Sequence, residues 1–323
     1  MKSIIFGVLT VLSLLILSIN IKLHSENFTY LKKQNDIVLQ LNFLESELKA
    51  NHLGQKMQQI FPEGYVFINA LYGLAWCELA INDTTNNIQL RNRAVNEALY
   101  AYNQIDSDVA KYTFDRDLYP KYGIFYLGWR NYLLSKILET DTSFPGHQLC
   151  IEAFETNCKV IKTALDSTTT PYLQSYFNQS WPADMFMAMA SLSNYNKLFD
   201  SEFNEGISIW LEKVKKRPDP KTKMVPHKVN SATGKSILGA RGCSMALILR
   251  VLPEIDTAFA NEQYKLFKTN FVTKTFGLPS VREYPKGKHG LGDIDSGPVI
   301  FGVGFSATIA MIGTFSVNGD IYI

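Results

Sequence analysis

The chain has 323 residues, 46% of them apolar and 19% charged, with a formal net charge of +2. The near-balance of charge, with no basic stripe interleaved with aromatics, argues against nucleic acid as a partner, and the apolar fraction is enough for a substantial core in one large domain or two ordinary ones. Four cysteines, Cys77, Cys150, Cys158 and Cys243, are too few and too scattered for a disulfide framework. No CxxC, HExxH or clustered His/Cys spacing points to a metal, so neither metal nor cofactor is expected.

In chain order, the first element is hydrophobic. Met1-Lys2-Ser3 precede an apolar run, Ile4 to Ile19, that reaches Ile21 only by accepting Asn20. The run is long for a signal-peptide core and short for a comfortable membrane span. Residues 1–25 are therefore expected to be a signal peptide or a membrane anchor. No clean small-x-small cleavage site follows, since Ser18-Ile19-Asn20 ends on Asn and Leu23-His24-Ser25 is only tolerable. The reading taken is an uncleaved anchor with an exported body, periplasmic or extracellular, or a secreted body if the segment is removed. Lys22, Lys32 and Lys33 pull the other way, because the positive-inside rule alone would keep the body in the cytoplasm.

From residue 36 onward the sequence is a succession of helical patterns separated by short breaks rich in Pro, Gly, Asp and Asn, with no alternating strand run. The expected helices are Ile37 to Asn51, Gly64 to Asn82, Thr85 to Gln104, Tyr122 to Glu139, Gln148 to Leu165, Pro182 to Phe199, Ser201 to Lys216, Lys235 to Leu252, Thr257 to Val272 and Pro298 to Phe315. Residues 36–323 read as a single all-α domain. The helices alternate in character: those starting at 64, 122, 182, 235 and 298 carry few charges, whereas those starting at 85, 148, 201 and 257 are amphipathic. A helix apolar all round must be buried, and an amphipathic one covers a core from outside. Alternating inner and outer helices is the pattern of an (α/α) toroid of about five to six helical hairpins, with an irregular helical bundle as the competing reading. The uncharged stretch from Pro298 to Phe315 also has the composition of a second membrane span, but no basic or aromatic belt flanks it, and the inner-helix reading is taken.

The candidate chemistry concentrates where helices begin. Gly292-Asp293-Ile294-Asp295-Ser296-Gly297-Pro298 puts two carboxylates two residues apart on a turn next to an apolar helix. Mutual repulsion and desolvation would raise at least one pKa, which suits proton exchange near neutral pH. Capping is the competing reading, with Asp295 and Ser296 capping the helix that Pro298 opens. Asp184 follows Trp181-Pro182-Ala183 and falls in a first turn, where the helix dipole favours an acid. Its functional reading is a general base or a hydroxyl acceptor, with Trp181 as a stacking surface. Arg241, in Gly239-Ala240-Arg241-Gly242, could clamp a carboxylate or pair with Asp184 or Asp293. Cys243 beside it is a small buried residue or, with Arg241 lowering its pKa, a thiolate. Glu283 precedes Tyr284-Pro285 and completes an acidic set of Asp184, Glu283, Asp293 and Asp295. Tyr126 and Trp129, among aromatics with helical spacing, are core residues by default and candidate substrate contacts otherwise. His227 and His289 lie in loops, as exposed groups or pocket-lining ones.

The runs Trp181-Pro182-Ala183-Asp184-Met185-Phe186, Gly239-Ala240-Arg241-Gly242-Cys243-Ser244, Glu283-Tyr284-Pro285 and Gly292 to Pro298 together resemble the linalool dehydratase/isomerase-like family over roughly residues 120 to 320. More distantly, the helix alternation is similar to that of the six-hairpin glycosidase toroids. The resemblance implies an (α/α) barrel whose site lies at the centre of one face, built from loops and the starts of inner helices, with acid/base groups and cysteines handling water loss and proton shifts on a small alkenol. Of this chain's cysteines only Cys243 falls in a resembling motif. The expected partners are a small-molecule or glycan substrate and, through the N-terminal segment, a membrane. Hydratase/isomerase-like chemistry competes with glycoside hydrolase or lyase chemistry, and both compete with a non-catalytic face that binds a glycan or a partner at the cell surface. The sequence leaves the oligomeric state open.

Overall fold

The computed structural model describes residues 2–25 and 29–320; Met1 of the expected leader and residues 321–323 of the expected domain lie outside the described residues. The helices are α1 (Lys2–Ser25), α2 (Tyr30–Lys49), α3 (Leu53–Ile60), α4 (Gly64–Ile81), α5 (Ile88–Ile105), α6 (Asp108–Lys111), α7 (Gly123–Thr140), α8 (His147–Asp166), α9 (Pro182–Leu198), α10 (Asn204–Lys215), α11 (Gly242–Ile255), α12 (Thr257–Asn270) and α13 (Phe305–Val317). Short strands are interspersed: β1 (Gln179–Ser180), β2 (Lys228–Asn230), β3 (Ser236–Leu238), β4 (Val272–Thr275), β5 (Leu278–Val281), β6 (Val299–Ile300) and β7 (Val303–Gly304).

The fold is an all-α toroid, and the pairing of side chains shows how it is built. Along α7 and α9, Asn131 bonds to Ser191 and Asn194 bonds to Ser135, so the residue numbers rise together and the two helices run parallel. The same holds for α4 and α7, where Phe67 meets Trp129 and Gly73 meets Leu133. It holds again for α11 and α13, where Thr314 bonds to the Ala246 carbonyl and Asn318 to that of Leu249. The outer helix α5 runs antiparallel to inner α4: Tyr65 bonds to Gln104 and Tyr72 to Glu97 across the pair. The inner set runs α4, α7, α9, α11, α13, with α5, α8, α10 and α12 outside and α2 and α3 packed against α4. Sequence explains the sorting. Inner α7 and α9 are buried along nearly their whole length, whereas outer α8 and α10 bury one stripe each.

Two expected helices are cut short at their starts. Lys235 to Arg241 is not helical: Ser236–Leu238 pairs as β3 with β2, and α11 begins at Gly242. Pro298 does not open a helix either. Residues 299–304 form a two-stranded hairpin, with Val299 opposite Gly304 and Ile300 opposite Val303, and α13 starts at Phe305. Its two-residue loop, Phe301-Gly302, has positive φ at both positions, 53° and 81°, the geometry of a tight hairpin turn whose twist matches its strands. The β4–β5 hairpin turns the same way, on Phe276-Gly277 with φ of 52° and 84°. A phenylalanine in the left-handed region costs roughly 1–2 kcal/mol, so neither phenylalanine is there for the sake of its turn.

Candidate active site

Because the inner helices run parallel, all their N-termini meet at one face. Glu63 sits immediately before α4, Trp181 and Asp184 begin α9, Arg241 and Cys243 begin α11, and the loop 282–298 crosses the face before α13.

Arg241 organises one half. Its Nε donates to Glu283 Oε1 at 2.6 Å, and its two terminal nitrogens form a fork on Asp293, with Nη2 donating to Oδ1 at 2.9 Å. Glu283 is fully buried and Arg241 nearly so, while Asp293 is half-exposed. Two glycines make room for this core. A Cβ on Gly242 would lie 2.1 Å from the Arg282 carbonyl, and one on Gly304 would lie 2.7 Å from Glu283 Oε2. Partial burial opposes the Asp293 charge, but the Arg241 fork and the Ser296 hydrogen bonds hold its pKa down at about 2. Burial pushes the Glu283 carboxyl up, against hydrogen bonds from Cys243 and Arg241 that pull it down. Neither group is placed to exchange a proton: one is held ionised, and the other is locked beneath the guanidinium.

The capping expectation for Asp295 and Ser296 is corrected, since no helix starts there. The Ser296 amide donates to Asp293 Oδ1 at 3.1 Å, its hydroxyl accepts from the Asp293 amide at 2.9 Å, and this closed turn aims Asp293 at Arg241. The thiolate reading of Cys243 is corrected too. Its Sγ donates to Glu283 Oε1 at 3.1 Å, and burial together with that carboxylate keeps the thiol far above its usual pKa, outweighing the nearby Arg241.

The other half holds Asp184, Asp295 and Glu63. Asp184 is 7% exposed, and its Oδ2 accepts from the Ser175 hydroxyl at 2.6 Å. Burial raises its pKa to about 7, with the charges of Glu63 and Asp295 adding to the rise and Ser175 and Trp129 opposing it. The helix dipole favours an acid in this first turn, and desolvation nevertheless prevails. Asp295, 43% exposed, is shifted upward by desolvation, by Asp293 and by Glu63. Three carboxyls thus act on one another here, while the guanidinium across the face is already taken by two more.

Two buried donors face this acidic half: the Trp129 indole N–H towards Asp184 and the Tyr176 hydroxyl towards Glu63. Both feel the acids, since Trp129 favours the charged form of Asp184 and the Tyr176 pKa is raised by burial, Glu63 and Asp184. Trp181 stands edge-on to Tyr176 with centroids 5.3 Å apart, and Lys228 Nζ lies 4.6 Å from its ring centre. His227 is buried, bonds to Ser244 through Nδ1 at 2.5 Å, and places Nε2 3.8 Å from Asp295 Oδ2. Burial and Arg241 depress its pKa to about 3, so it is a neutral imidazole at ordinary pH.

The structure therefore gathers Asp184, Asp295, Trp129 and Trp181 on one side of the face, and Arg241, Glu283, Asp293 and Cys243 on the other. It does not bring Tyr126 or His289 to them. Tyr126 bonds to Asp106 at the end of α5, and His289 is exposed on the loop after Pro285. Glu63, Tyr176 and Ser175 were missed from sequence. Glu63 had a usable signal, because it directly precedes an inner helix; Tyr176 and Ser175 lie in an irregular loop with no motif. Two hollows lie elsewhere, one of about 170 Å³ between α8 and α10 and one of about 600 Å³ beside Lys216, Arg217 and Lys235. Neither is lined by Asp184, Asp295 or the donors beside them, so the chemistry favours the face at the helix starts.

No family model matches this chain, and no curated protein matches it. Among solved structures it is similar to a family 105 glycoside hydrolase from C. acetobutylicum ATCC 824, at 14% identity and a TM-score of 0.41, over 83% of this chain and 99% of that one. The linalool dehydratase/isomerase-like family is not shown by these comparisons.

Proposed function

We propose that this face is the active site of a membrane-attached acid/base enzyme acting on a neutral, hydroxyl-bearing substrate, a lyase or isomerase of the hydratase kind. The observation that carries the reading is Asp184, a buried carboxyl with a pKa of about 7 beside a second, more exposed carboxyl whose pKa is also raised. A protonated Asp184 gives its proton to the substrate hydroxyl as the C–O bond breaks, and water leaves. Asp295 takes the proton from the adjacent carbon, whose bonding pair becomes the new double bond; solvent then carries a proton from Asp295 back to Asp184. The Trp129 N–H and the Tyr176 hydroxyl lie beside the carboxyls and can turn to donate to the substrate's oxygen. Arg241 is a positioning residue, fixing the Asp293 turn on which Asp295 stands.

A glycoside substrate is the second reading, favoured by the Tyr176 and Trp181 rings beside the carboxyls; there Asp295 would activate water instead of taking a proton from carbon. The test is turnover of allylic and tertiary alcohol amphiphiles against aryl glycosides by wild type, Asp184→Asn and Asp295→Asn. Each substitution should cost about 10²–10⁴ in kcat with the unfolding temperature retained, and wild-type activity should fall as pH rises through about 7, where Asp184 loses its proton. Wild-type turnover by both variants would remove the carboxyls from the mechanism and leave a binding face.

A further inference from the structure

We propose that the toroid docks on a bilayer containing anionic lipid, through an apolar patch formed by the two hairpin tips and the outer stripe of α13, so that the carboxylate face lies at the membrane surface. The proposal rests on α1 being the membrane anchor, and it adds a second, separate contact by the body itself.

The patch is specific in its construction. Phe276 and Phe301, each the first residue of a tight hairpin turn, are 56% and 74% exposed and stand edge-to-face with centroids 5.5 Å apart. Both hold a positive φ that phenylalanine adopts at a cost, where Asn, Asp or Gly would be the ordinary choice. With the rings this exposed among the described residues, the conformational cost is not offset by burial in the protein. Phe305, Ile309 and Ile312 continue the surface along one stripe of α13, at i, i+4 and i+7, each at least 56% exposed. A contiguous exposed apolar surface of this kind marks an interaction site.

Two observations select lipid as the occupant. The first is the position of α1. Its apolar stretch Ile4–Leu23 is 20 residues long with none of it buried, about 30 Å of helix and thus the thickness of a bilayer core. At the far end of that stretch the Asn20 amide donates to the Phe276 carbonyl at 3.0 Å. The hairpin tip therefore sits where the anchor would leave the hydrocarbon, and the rest of the patch extends from it. The second is charge. Lys274, Lys286 and Lys288 are exposed on the hairpin and on the loop beside Phe301, with Arg282 bonding the Lys288 carbonyl. Aromatic tips flanked by lysines suit the headgroup region of an anionic leaflet. Leu291 and Ile294, on the loop that carries Asp293 and Asp295, are 89% and 55% exposed.

The test places an environment-sensitive fluorophore at Phe301→Cys and Ile309→Cys in the full chain, reconstituted in vesicles of phosphatidylcholine and phosphatidylglycerol with doxyl-labelled lipid as quencher. Leu149→Cys on α8 serves as the wall control, Leu12→Cys as the anchor control, and the unsubstituted chain as the labelling background. Docking predicts quenching at 301 and 309 about twofold or more above that at 149. Quenching at 12 but not at 301 and 309 would overturn docking while keeping the anchor. Quenching at 301 and 309 but not at 12 would overturn the anchor, and with it the proposal that rests on it. Self-quenching between copies at 301 or 309, without quenching by lipid, would overturn the proposal in favour of a second copy of this chain.

Discussion

The two ends of the inner-helix ring use the same residue types to opposite ends. At the C-terminal end Lys136, only 7% exposed, lies 3.0 Å from both Glu139 and Glu254; Lys197 adds to Glu139, Arg250 pairs with Glu78 at 3.0 Å, and the Tyr132 hydroxyl bonds to Glu254 at 2.8 Å. Each carboxylate there has a cation. At the N-terminal end Arg241 is consumed by Glu283 and Asp293, and Asp184, Asp295 and Glu63 share a region with no further cation bonded to them among the described residues. A compensated cluster joins helices together, whereas an uncompensated one raises carboxyl pKa values into the range where protons move. The difference separates scaffold from candidate catalyst within one ring.

Removing the central cation at each end tests that contrast most strongly. Arg241→Met leaves Glu283 buried without a charge partner and frees the Asp293 turn; it should destabilise by about 3–5 kcal/mol in denaturant unfolding and abolish turnover. Lys136→Met should cost less, about 2 kcal/mol, because Glu139 keeps Lys197 and Glu254 keeps Tyr132, and turnover should survive. Equal loss of activity in both variants would erase the distinction between the ends.

The pH dependence of stability sharpens it. Asp184 has a folded pKa raised from 3.8 to about 7, so between those values the folded chain binds more protons than the unfolded chain, and stability falls as pH rises through that window. His227, lowered from 6.5 to about 3, acts in the other direction, losing stability as pH falls from 6.5 towards 3. Thermal unfolding of Asp184→Asn should lack the decline on the neutral side and keep the acid-side loss. A decline unchanged in that variant would show that the raised pKa does not belong to Asp184.

The smallest effect is expected at Cys243. With its thiol protonated and bonded to Glu283, Cys243→Ser should change kcat by less than about tenfold. A loss as large as that of Asp184→Asn would restore the thiolate.

Much of the scaffold was legible in the sequence because burial imposes composition over many residues. The charge-poor runs at Gly64, Tyr122 and Pro182 became α4, α7 and α9 almost to the residue, and the amphipathic runs between them became the outer helices. Asp184 and the Gly292 to Pro298 turn stood out for the same reason, as polar groups at the margins of apolar helices. The starts of α11 and α13 were not legible, because Ser236–Leu238 and the Val299–Gly304 hairpin are apolar enough to extend a helical pattern, and only their strand partners and positive-φ turns decide against it.

Sequence by itself determined which helices are inside, that they alternate with outer ones, and that acids cluster near helix starts, since each of these follows from local composition and periodicity. Only the tertiary structure decided how the acids divide. Arg241 could have paired with Asp184 or with Asp293, and the choice fell to Glu283 and Asp293 because Gly242 and Gly304 let the loop before α13 close onto α11. That contact spans more than forty residues of chain. It leaves Asp184 and Asp295 without the cation, and a carboxyl's pKa is set by which charges and how much water surround it in space, which its neighbours in sequence do not specify.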